Sequence, residues 1–287
     1  MVPEAPEVEA LVRYLKPLLV GRVVARVDFA TINTLKTYDP PVTSLYGVEI
    51  VDVTRRGKFL DIDVSGLHIL IHLARAGWLR YRESLPVAPL RPGKGPMSAR
   101  LVLDDGSGID LTEMGTQKKL SFSVVRKPTD VPGVERLGID VLDPDFTVDV
   151  LKGIVQGRRN QIKGVLTDQS LIAGVGNAYS DEVLWEAKMS PFALASSLSD
   201  EDVERLHVAL VNTVSSAVER SSGLPASDLK DDKRAAMNVH AQTGKPCPRC
   251  GDIVREVSFA TKSLQYCATC QTGGKPLADR RMSRLLK

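Results

Sequence analysis

The segment CPRCGDIVREVSFATKSLQYCATC, residues 247–270, holds all four cysteines of the 287-residue chain. The cysteines form two C-x-x-C pairs that are separated by sixteen residues. Each pair brings two sulfurs within reach of one metal ion, and this spacing is typical of a structural zinc site on a β-hairpin. The intervening REVSFATKSLQY is long enough for the two strands. We therefore predict one zinc ion bound by Cys247, Cys250, Cys267 and Cys270.

Two other interpretations of these cysteines remain open at this point. Two disulfides would fit the count, but disulfides are rare inside cells. A redox pair would need only one C-x-x-C. Four cysteine ligands leave no open coordination position, so the metal would hold the fold rather than perform chemistry.

The composition predicts a soluble globular protein, with 43% apolar and 25% charged residues. No apolar run approaches the ~18 residues that cross a bilayer. The acidic, proline-bearing N-terminus resembles neither a signal peptide nor a transit peptide, so we expect an intracellular, cytoplasmic protein without membrane contact.

The charge is unevenly distributed along the chain. Residues 240–287 hold nine basic and three acidic residues, a net +6, which leaves −3 for the rest because the whole chain carries +3. A basic module on a mildly acidic body is typical of a polyanion binder, although a solvated tail would look the same.

Hydrophobic patterning divides the chain. Residues 6–16 have apolar residues at helical spacing, and from about 22 to 125 short β-rich runs alternate with Gly, Pro and Asp clusters. The stretch 125–138 is proline-rich, and helical patterns occupy 145–220. We predict an α+β multidomain chain with a β-sandwich domain at 1–125, a linker at 126–140, a helical domain at 141–236 and a zinc finger with a basic tail at 240–287.

Four further features could carry chemistry, and each has a simpler explanation. TRRGKF at 54–59 places cations on a turn, which would equally suit a solvated hairpin. His72 would most simply be a core histidine. The glycine-rich turn before Asn177 exposes amides that could bind an anion, or it packs two helices. Glu4, Glu7 and Glu9 could merely favour the helix dipole, and for Glu7 and Glu9 that interpretation is sufficient.

Five motifs together resemble the formamidopyrimidine-DNA glycosylase/endonuclease VIII family. They are PE-x-PEVE at 3–9, RRGKFL at 55–60, IHL-x-x-x-G at 71–77, D-x-x-x-x-AGVGN-x-Y-x-DE at 168–182 and YCxxCQ at 266–271. The resemblance implies a two-layered β-sandwich with an N-terminal helix, a helix–two-turn–helix domain and a β-hairpin zinc finger, with DNA in the cleft between the halves. PEVE favours the formamidopyrimidine branch.

The resemblance also implies an activity in base excision repair. The enzyme would remove a damaged, oxidised base from double-stranded DNA and then cleave the strand at the abasic site. Its N-terminal amine would form a Schiff base with the sugar; an α-amino group near pKa 8 is neutral more often than a lysine. We expect a monomer associated with the nucleoid.

The resemblance assigns roles to particular residues. Pro3 would be the nucleophile, Glu4 the general acid at the sugar ring oxygen, and Lys58 would join this catalytic set. The expected DNA contacts are His72, Asn177, Lys262, Arg56 and Lys163.

The sequence departs from the family pattern where the lesion is probed. Arg75 stands where the family commonly has a methionine, and EMGTQKKL at 113–120 lacks the expected Arg/Phe pair. Met114, Gln117 or Leu120 could substitute. Lys262 replaces an arginine and so loses the bidentate fork. These changes concern the choice of lesion more than the binding of DNA.

Alternative functions follow from the same residues. A DNA-lesion or abasic-site binding protein of weak or absent activity could retain the scaffold, and a generic zinc-ribbon protein would have no use for Glu4, Lys58 and Asn177. The activity depends on a free amine, and Val2 precedes Pro3. Val2 could reflect a GUG start codon, which is the explanation we favour. Otherwise Val2 is itself the nucleophile, or the catalytic amine is lost.

Overall fold

The computed structural model describes residues 2–93, 95–115, 117–259 and 262–278. The chain forms two compact units, the first of residues 1–137 and 220–231, the second of residues 138–219 and 232–287. Within the described ranges, no helix has both the length and the apolarity needed to cross a membrane. The predicted domain limits remain predictions, and the end of the basic tail, 279–287, lies outside the described residues.

Helix α1 (Ala5–Leu19) opens the first unit and confirms the helix predicted at 6–16. Pro6 lies in its first turn, where a missing amide hydrogen costs nothing. Its apolar face is completely buried at Leu11, Leu15 and Leu19. Each such side chain contributes about 1.5–3 kcal/mol to the hydrophobic stabilisation of this unit.

Eight strands follow α1 and make two four-stranded sheets of antiparallel neighbours. They are β1 (Val24–Phe29), β2 (Asp52–Arg56), β3 (Phe59–Val64), β4 (Leu67–His72), β5 (Gly77–Arg82), β6 (Met97–Leu103), β7 (Gly108–Glu113) and β8 (Ser121–Val125). The sheet orders are β1-β6-β7-β5 and β2-β3-β4-β8. The short helix α2 (Pro132–Glu135) comes after them.

One apolar core joins the two sheets and α1. Val27 and Leu101 of the first sheet, Ile62 and Phe122 of the second, and Leu11 of α1 all belong to it. Successive side chains of a strand point to opposite faces of the sheet, so every second one points inward. This alternation is why the sequence pattern predicted the strands. The predicted β-sandwich with an N-terminal helix is confirmed.

The second unit is helical and ends in a hairpin. Its elements are β9 (Ile139–Asp140), α3 (Val148–Val155), α4 (Ile162–Thr167), β10 (Ile172–Ala173), α5 (Asn177–Glu186), α6 (Asp200–Ser221), α7 (Leu229–Ala236), β11 (Val254–Ser258), β12 (Ser263–Cys267) and α8 (Ala268–Thr272). The last residues of α6 and the first of α7 belong to the first unit.

Local signals set several boundaries in this unit. The Ser199 hydroxyl accepts the amide of Asp202 and so caps the start of α6, and the Ser199 amide donates to the Asp202 carboxylate. In the hairpin, β11 and β12 pair antiparallel from Val254↔Cys267 to Ser258↔Ser263. The predicted helix–two-turn–helix domain and β-hairpin finger are both present.

Candidate functional site

The start of α1 buries two carboxylates. Glu4 and Glu7 are each only 1% exposed, and Pro3 before them is buried. The amide of Glu4 donates to the Glu7 carboxylate at 2.8 Å. Glu7 is therefore more than the helix-dipole charge that the sequence suggested: it fixes the backbone at Glu4. A glutamate therefore follows the buried proline directly, and both residues are shielded from solvent.

The β2–β3 hairpin is fixed against this helix. Arg55 Nε donates to Glu9 at 3.1 Å, and its guanidinium also donates to the Gly57 carbonyl at 2.8 Å. The Arg55 side chain is only 8% exposed, so the solvated-hairpin interpretation is wrong for this residue. Gly57 adopts φ +56°, which suits the tight turn that presents Lys58.

Arg56 on the same hairpin has a partner within the protein. Its Nε donates to Asp61 at 2.7 Å, and Asp61 is buried and also accepts from His68. The Arg56 side chain is 43% exposed, so it still faces solvent. Its predicted contact with DNA remains a prediction.

His72 lies at the end of β4, directly across from Phe59. Its Nδ1 accepts the Ala74 amide at 3.3 Å, and its ring packs on Phe59 with centroids 4.7 Å apart. Burial and then the positive charge of Lys58 lower the pKa of His72 to about 4. His72 is thus neutral at pH 7, and its Nε2 carries the hydrogen that it can donate to a ligand.

Two loops that carry the predicted lesion-probing residues meet at one end of the β5–β7 pair. The Met114 amide donates to the Ala76 carbonyl at 3.2 Å, which joins the loop after β7 to the loop that holds Arg75. Met114 is 65% exposed, and Arg75 and Gln117 are exposed as well. Leu120 is buried at 2% exposure, so it packs in the core and cannot probe DNA.

Glu113, for which the sequence predicted no role, organises the second of these loops. The buried Glu113 carboxylate accepts the amides of Lys119 at 2.8 Å and Leu120 at 3.0 Å. It therefore closes the loop that holds Met114 and Gln117. The available signal was a glutamate at the end of strand β7.

The glycine-rich turn before α5 is held by one side chain. Gln169 accepts the Gly174 amide at 3.0 Å and donates to the Val175 carbonyl at 2.7 Å, while Gly174 adopts φ +98°. Asn177 at the first position of α5 donates from Nδ2 to the Ser263 carbonyl at 2.9 Å. Asn177 thus lies beside the hairpin of the finger, next to Lys262.

Lys163 requires a correction. It is 6% exposed, and its Nζ donates to the Asn177 carbonyl, to Ser180 Oγ and to Asp181 Oδ1, at 3.2, 2.6 and 2.6 Å. All three ammonium hydrogens are used inside the protein. Lys163 therefore ties α4 to α5 and has no donor left for a DNA phosphate.

Two acidic residues of α5 hold the segment that leads into the finger. The sequence had suggested no individual role for either of them. Glu182 accepts the amides of Asn238, Val239 and His240 at 2.8–2.9 Å, and Asp181 accepts from His240 Nδ1 at 2.8 Å. Burial raises the pKa of Glu182, although these amides oppose the change. The acidic pair within the family motif was the signal.

The four cysteine sulfurs suit a zinc ion. They lie within 4.8 Å of one another, with Cys250–Cys267 at 3.4 Å and Cys247–Cys270 at 3.9 Å. Sulfurs bound tetrahedrally at about 2.3 Å from zinc lie about 3.8 Å apart. All four cysteines are free, so the disulfide alternative is wrong. The protein binds one structural zinc.

One thiol has additional donors. Trp185 Nε1 donates to Cys247 Sγ at 3.3 Å. Burial raises the pKa of the Cys247 thiol, but the amides of Arg249 and Cys250 and the indole more than offset burial and lower it to about 7. A thiol with this environment readily becomes the thiolate that zinc requires.

Lys262 lies at the exposed tip of the β11–β12 hairpin. Its carbonyl accepts the Phe259 amide at 2.8 Å. Since Ser263 accepts from Asn177, Lys262 is held next to the start of α5. A lysine and an amide side chain at a helix N-terminus are suited to one phosphate.

Three family models match the chain in order. They are the formamidopyrimidine-DNA glycosylase N-terminal domain at residues 2–126, the H2TH domain of the same enzymes at 137–227, and the zinc finger found in FPG and IleRS at 244–273. A formamidopyrimidine-DNA glycosylase of Desulforamulus reducens is 32% identical over 284 residues, which cover 94% of this chain and 99% of the relative. The chain belongs to the formamidopyrimidine-DNA glycosylase family.

The chain is also similar to a shorter relative and, in its fold, to a solved structure. An uncharacterised formamidopyrimidine-DNA glycosylase-like protein of Mycobacterium tuberculosis is 58% identical over 156 residues, which cover 54% of this chain and 98% of that protein. The complex of the Lactococcus lactis enzyme with abasic-site DNA matches the fold with a TM-score of 0.82 at 22% identity, covering 94% of this chain and 99% of that one.

Proposed function

We propose that this protein is a DNA N-glycosylase and abasic-site lyase of base excision repair. The observation that carries the proposal is the buried Glu4, which directly follows Pro3 at the start of α1 in a member of this family. The substrate is double-stranded DNA with a damaged, oxidised base or an abasic site. The alternative of an inactive lesion-binding protein is not favoured, because family membership extends over the whole chain.

In the proposed reaction, the N-terminal amine attacks C1′ of the extruded nucleotide and the damaged base leaves with a proton. Glu4 donates a proton to the ring oxygen as the sugar opens, which yields a cationic iminium. The iminium acidifies C2′, and loss of that proton eliminates the 3′ phosphate and breaks the strand. Water then releases the enzyme. The damaged base must leave the stack because C1′ is inaccessible within it.

We infer that the DNA backbone is bound by residues of both units. Lys58, Arg56 and the neutral His72 supply donors from the first unit, and Asn177 and Lys262 supply them from the second. Arg75, Met114 and Gln117 probe the lesion. The bound zinc supplies no chemistry and holds the finger that carries Lys262. We expect the protein to act as a monomer in the cytoplasm, at the nucleoid.

Borohydride trapping on an abasic-site duplex tests the proposed chemistry. Protein with a free catalytic amine should give a covalent adduct, whereas Glu4→Gln should leave DNA binding intact and lower base excision by at least tenfold. Complete absence of an adduct from protein whose N-terminal mass is known would refute the enzyme and favour the binding protein. Unchanged activity in Glu4→Gln would remove the assigned role of Glu4.

Intact mass decides between the candidate nucleophiles. Protein expressed from the native start should begin at Pro3 if proline forms the iminium. A mass that begins at Val2, together with an adduct that maps to Val2, would assign the reaction to the valine amine.

A further inference from the structure

We propose that Trp185 and Arg249 are positioning residues that lock the zinc-binding end of the finger onto helix α5. Trp185 lies near the C-terminus of α5 and is 8% exposed. It packs in one apolar cluster with Val239, Val254, Cys247 and Cys267. Two of these neighbours are zinc ligands, so the indole reaches the metal site from outside the finger.

The indole makes a directed contact with one ligand. Trp185 Nε1 donates to Cys247 Sγ at 3.3 Å. A hydrogen bond to a metal-bound thiolate draws off part of its negative charge and fixes the orientation of the sulfur. Partners of this kind commonly change metal affinity by 10- to 100-fold when they are removed.

Arg249 contacts the same indole from the finger. It stands between Cys247 and Cys250, and its guanidinium lies 3.9 Å from the centroid of the Trp185 ring. It also donates to the Trp185 carbonyl at 2.7 Å and to the Glu186 carboxylate at 2.6 Å. A cation is favoured at a helix C-terminus by the helix dipole and over the face of an indole ring. Ring, carbonyl and carboxylate together allow Arg249 one position.

Both ends of helix α5 therefore contact the finger. At its N-terminus, Asn177 donates to the Ser263 carbonyl, and at its C-terminus Trp185 and Arg249 hold the zinc site. Asn177 and Trp185 are eight residues apart, so these two attachments are about 12 Å apart along a rigid element. Loosening the zinc end should shift Lys262 relative to Asn177. This last consequence rests on the proposed function, whereas the lock itself does not.

Zinc release in the absence of DNA tests the lock. Trp185→Phe keeps the aromatic ring and removes the N–H donor, and Arg249→Gln removes the cation. Both variants should transfer zinc to a chromophoric chelator about tenfold faster than the parent protein. Trp78→Phe is the matched control, since Trp78 is the other of the two tryptophans and donates to the Ala226 carbonyl in the first unit. The control should release zinc at the parent rate.

Three results would overturn the proposal. They are an unchanged release rate in both Trp185→Phe and Arg249→Gln, an equal acceleration in Trp78→Phe, and parent behaviour in Arg249→Lys, which keeps the charge without the planar fork. If Trp185→Phe does not fold, the release rate of Arg249→Lys still tests the proposal. Because zinc release involves no DNA, a chain without glycosylase activity would leave this test unaffected.

A spectroscopic readout separates positioning from general destabilisation. In a Trp78→Phe background, Trp185 is the sole tryptophan, and its emission should change when zinc is removed. Adding Arg249→Gln should shift that emission before any unfolding. On abasic-site duplexes, Arg249→Gln should raise KM several-fold and leave kcat near the parent value. Trp185 emission that changes neither on zinc removal nor in Arg249→Gln would contradict the proposal.

Discussion

Glu4 and Glu7 show how one buried pair of carboxylates can divide two tasks. The Glu4 amide donates to Glu7, so the backbone geometry of the proposed general acid is fixed by its neighbour. Glu9, further along the same helix, faces outward to Arg13 and Arg55. Glu7 and Glu9 thus hold the start of the helix and the adjacent hairpin in place around Glu4, the residue proposed for the chemistry.

The neutral state of His72 gives the folded protein a defined acid sensitivity. Above pH 6.5 the imidazole is neutral in both the folded and the unfolded chain. Between pH 6.5 and about 4 the unfolded chain binds a proton that the folded protein excludes, so the free energy of unfolding falls as pH is lowered. We expect a loss of about 1–3 kcal/mol from this residue.

His72→Asn isolates that contribution. The asparagine oxygen can still accept the Ala74 amide, but it does not titrate in this range. Urea unfolding at pH 7 and pH 4.5 should show a smaller difference for the variant than for the parent protein. An identical difference would mean that His72 titrates normally in the folded state.

Glu113 allows a matched pair of substitutions at the residue scale. Glu113→Ala leaves the amides of Lys119 and Leu120 without their acceptor and should lower the free energy of unfolding by about 1–3 kcal/mol. Glu113→Gln retains one acceptor oxygen and should lose less. The ratio of lesion excision to abasic-site cleavage should fall in both variants. Equal stability of all three proteins would show that the loop does not depend on this carboxylate.

At the scale of elements, the IHL-x-x-x-G motif has a packing explanation. The Gly77 amide donates to the Leu73 carbonyl at 2.9 Å, and a Cβ on Gly77 would lie 2.1 Å from that oxygen. Only glycine permits this approach, which turns the chain between β4 and β5 and exposes Arg75 between them. The motif is therefore a turn that presents a side chain.

Two glycine-to-alanine substitutions should have opposite effects for this reason. Gly77→Ala forces the turn open and should lower the melting temperature by several degrees, corresponding to about 2 kcal/mol or more. Gly153→Ala lies within α3 and meets no atom within 4 Å, so it should be neutral or stabilising by up to about 1 kcal/mol. Thermal unfolding of both variants checks the contrast; similar destabilisation in both would contradict it.

At the scale of the whole molecule, zinc should support the second unit and leave the first one folded. The four ligands come from the finger alone, and structural zinc contributes folding free energy directly. After chelation, the amides of β11 and β12 should lose protection from hydrogen exchange, while those of β3 and β4 should keep it. Protected finger amides in zinc-free protein would contradict this expectation.

Much of the architecture was predictable because its signals are local. The alternating strands, the amphipathic α1, the Ser199 cap and the paired cysteines each depend on spacings within a few turns or one hairpin. The family motifs added the order of the domains. The roles of single polar residues were less accessible, as Lys163 shows, because a sequence does not reveal whether a cation's donors are already used.

The sequence by itself determined the β-sandwich, the zinc ligands and the family. Spacing along the chain dictates these features. Only the tertiary structure decided that Lys163 donates its hydrogen bonds inside the protein and that Glu7 and Glu113 accept backbone amides. It also decided that Trp185 contacts Cys247. Glu7 and Glu113 bind amides only three to seven residues away, but the sequence does not show that their carboxylates are buried. For the other contacts the physical reason is distance along the chain: Trp185 and Cys247 are 62 residues apart, and Asn177 and Ser263 are 86 apart. Burial and hydrogen-bond saturation arise when such segments meet, and no local pattern encodes them.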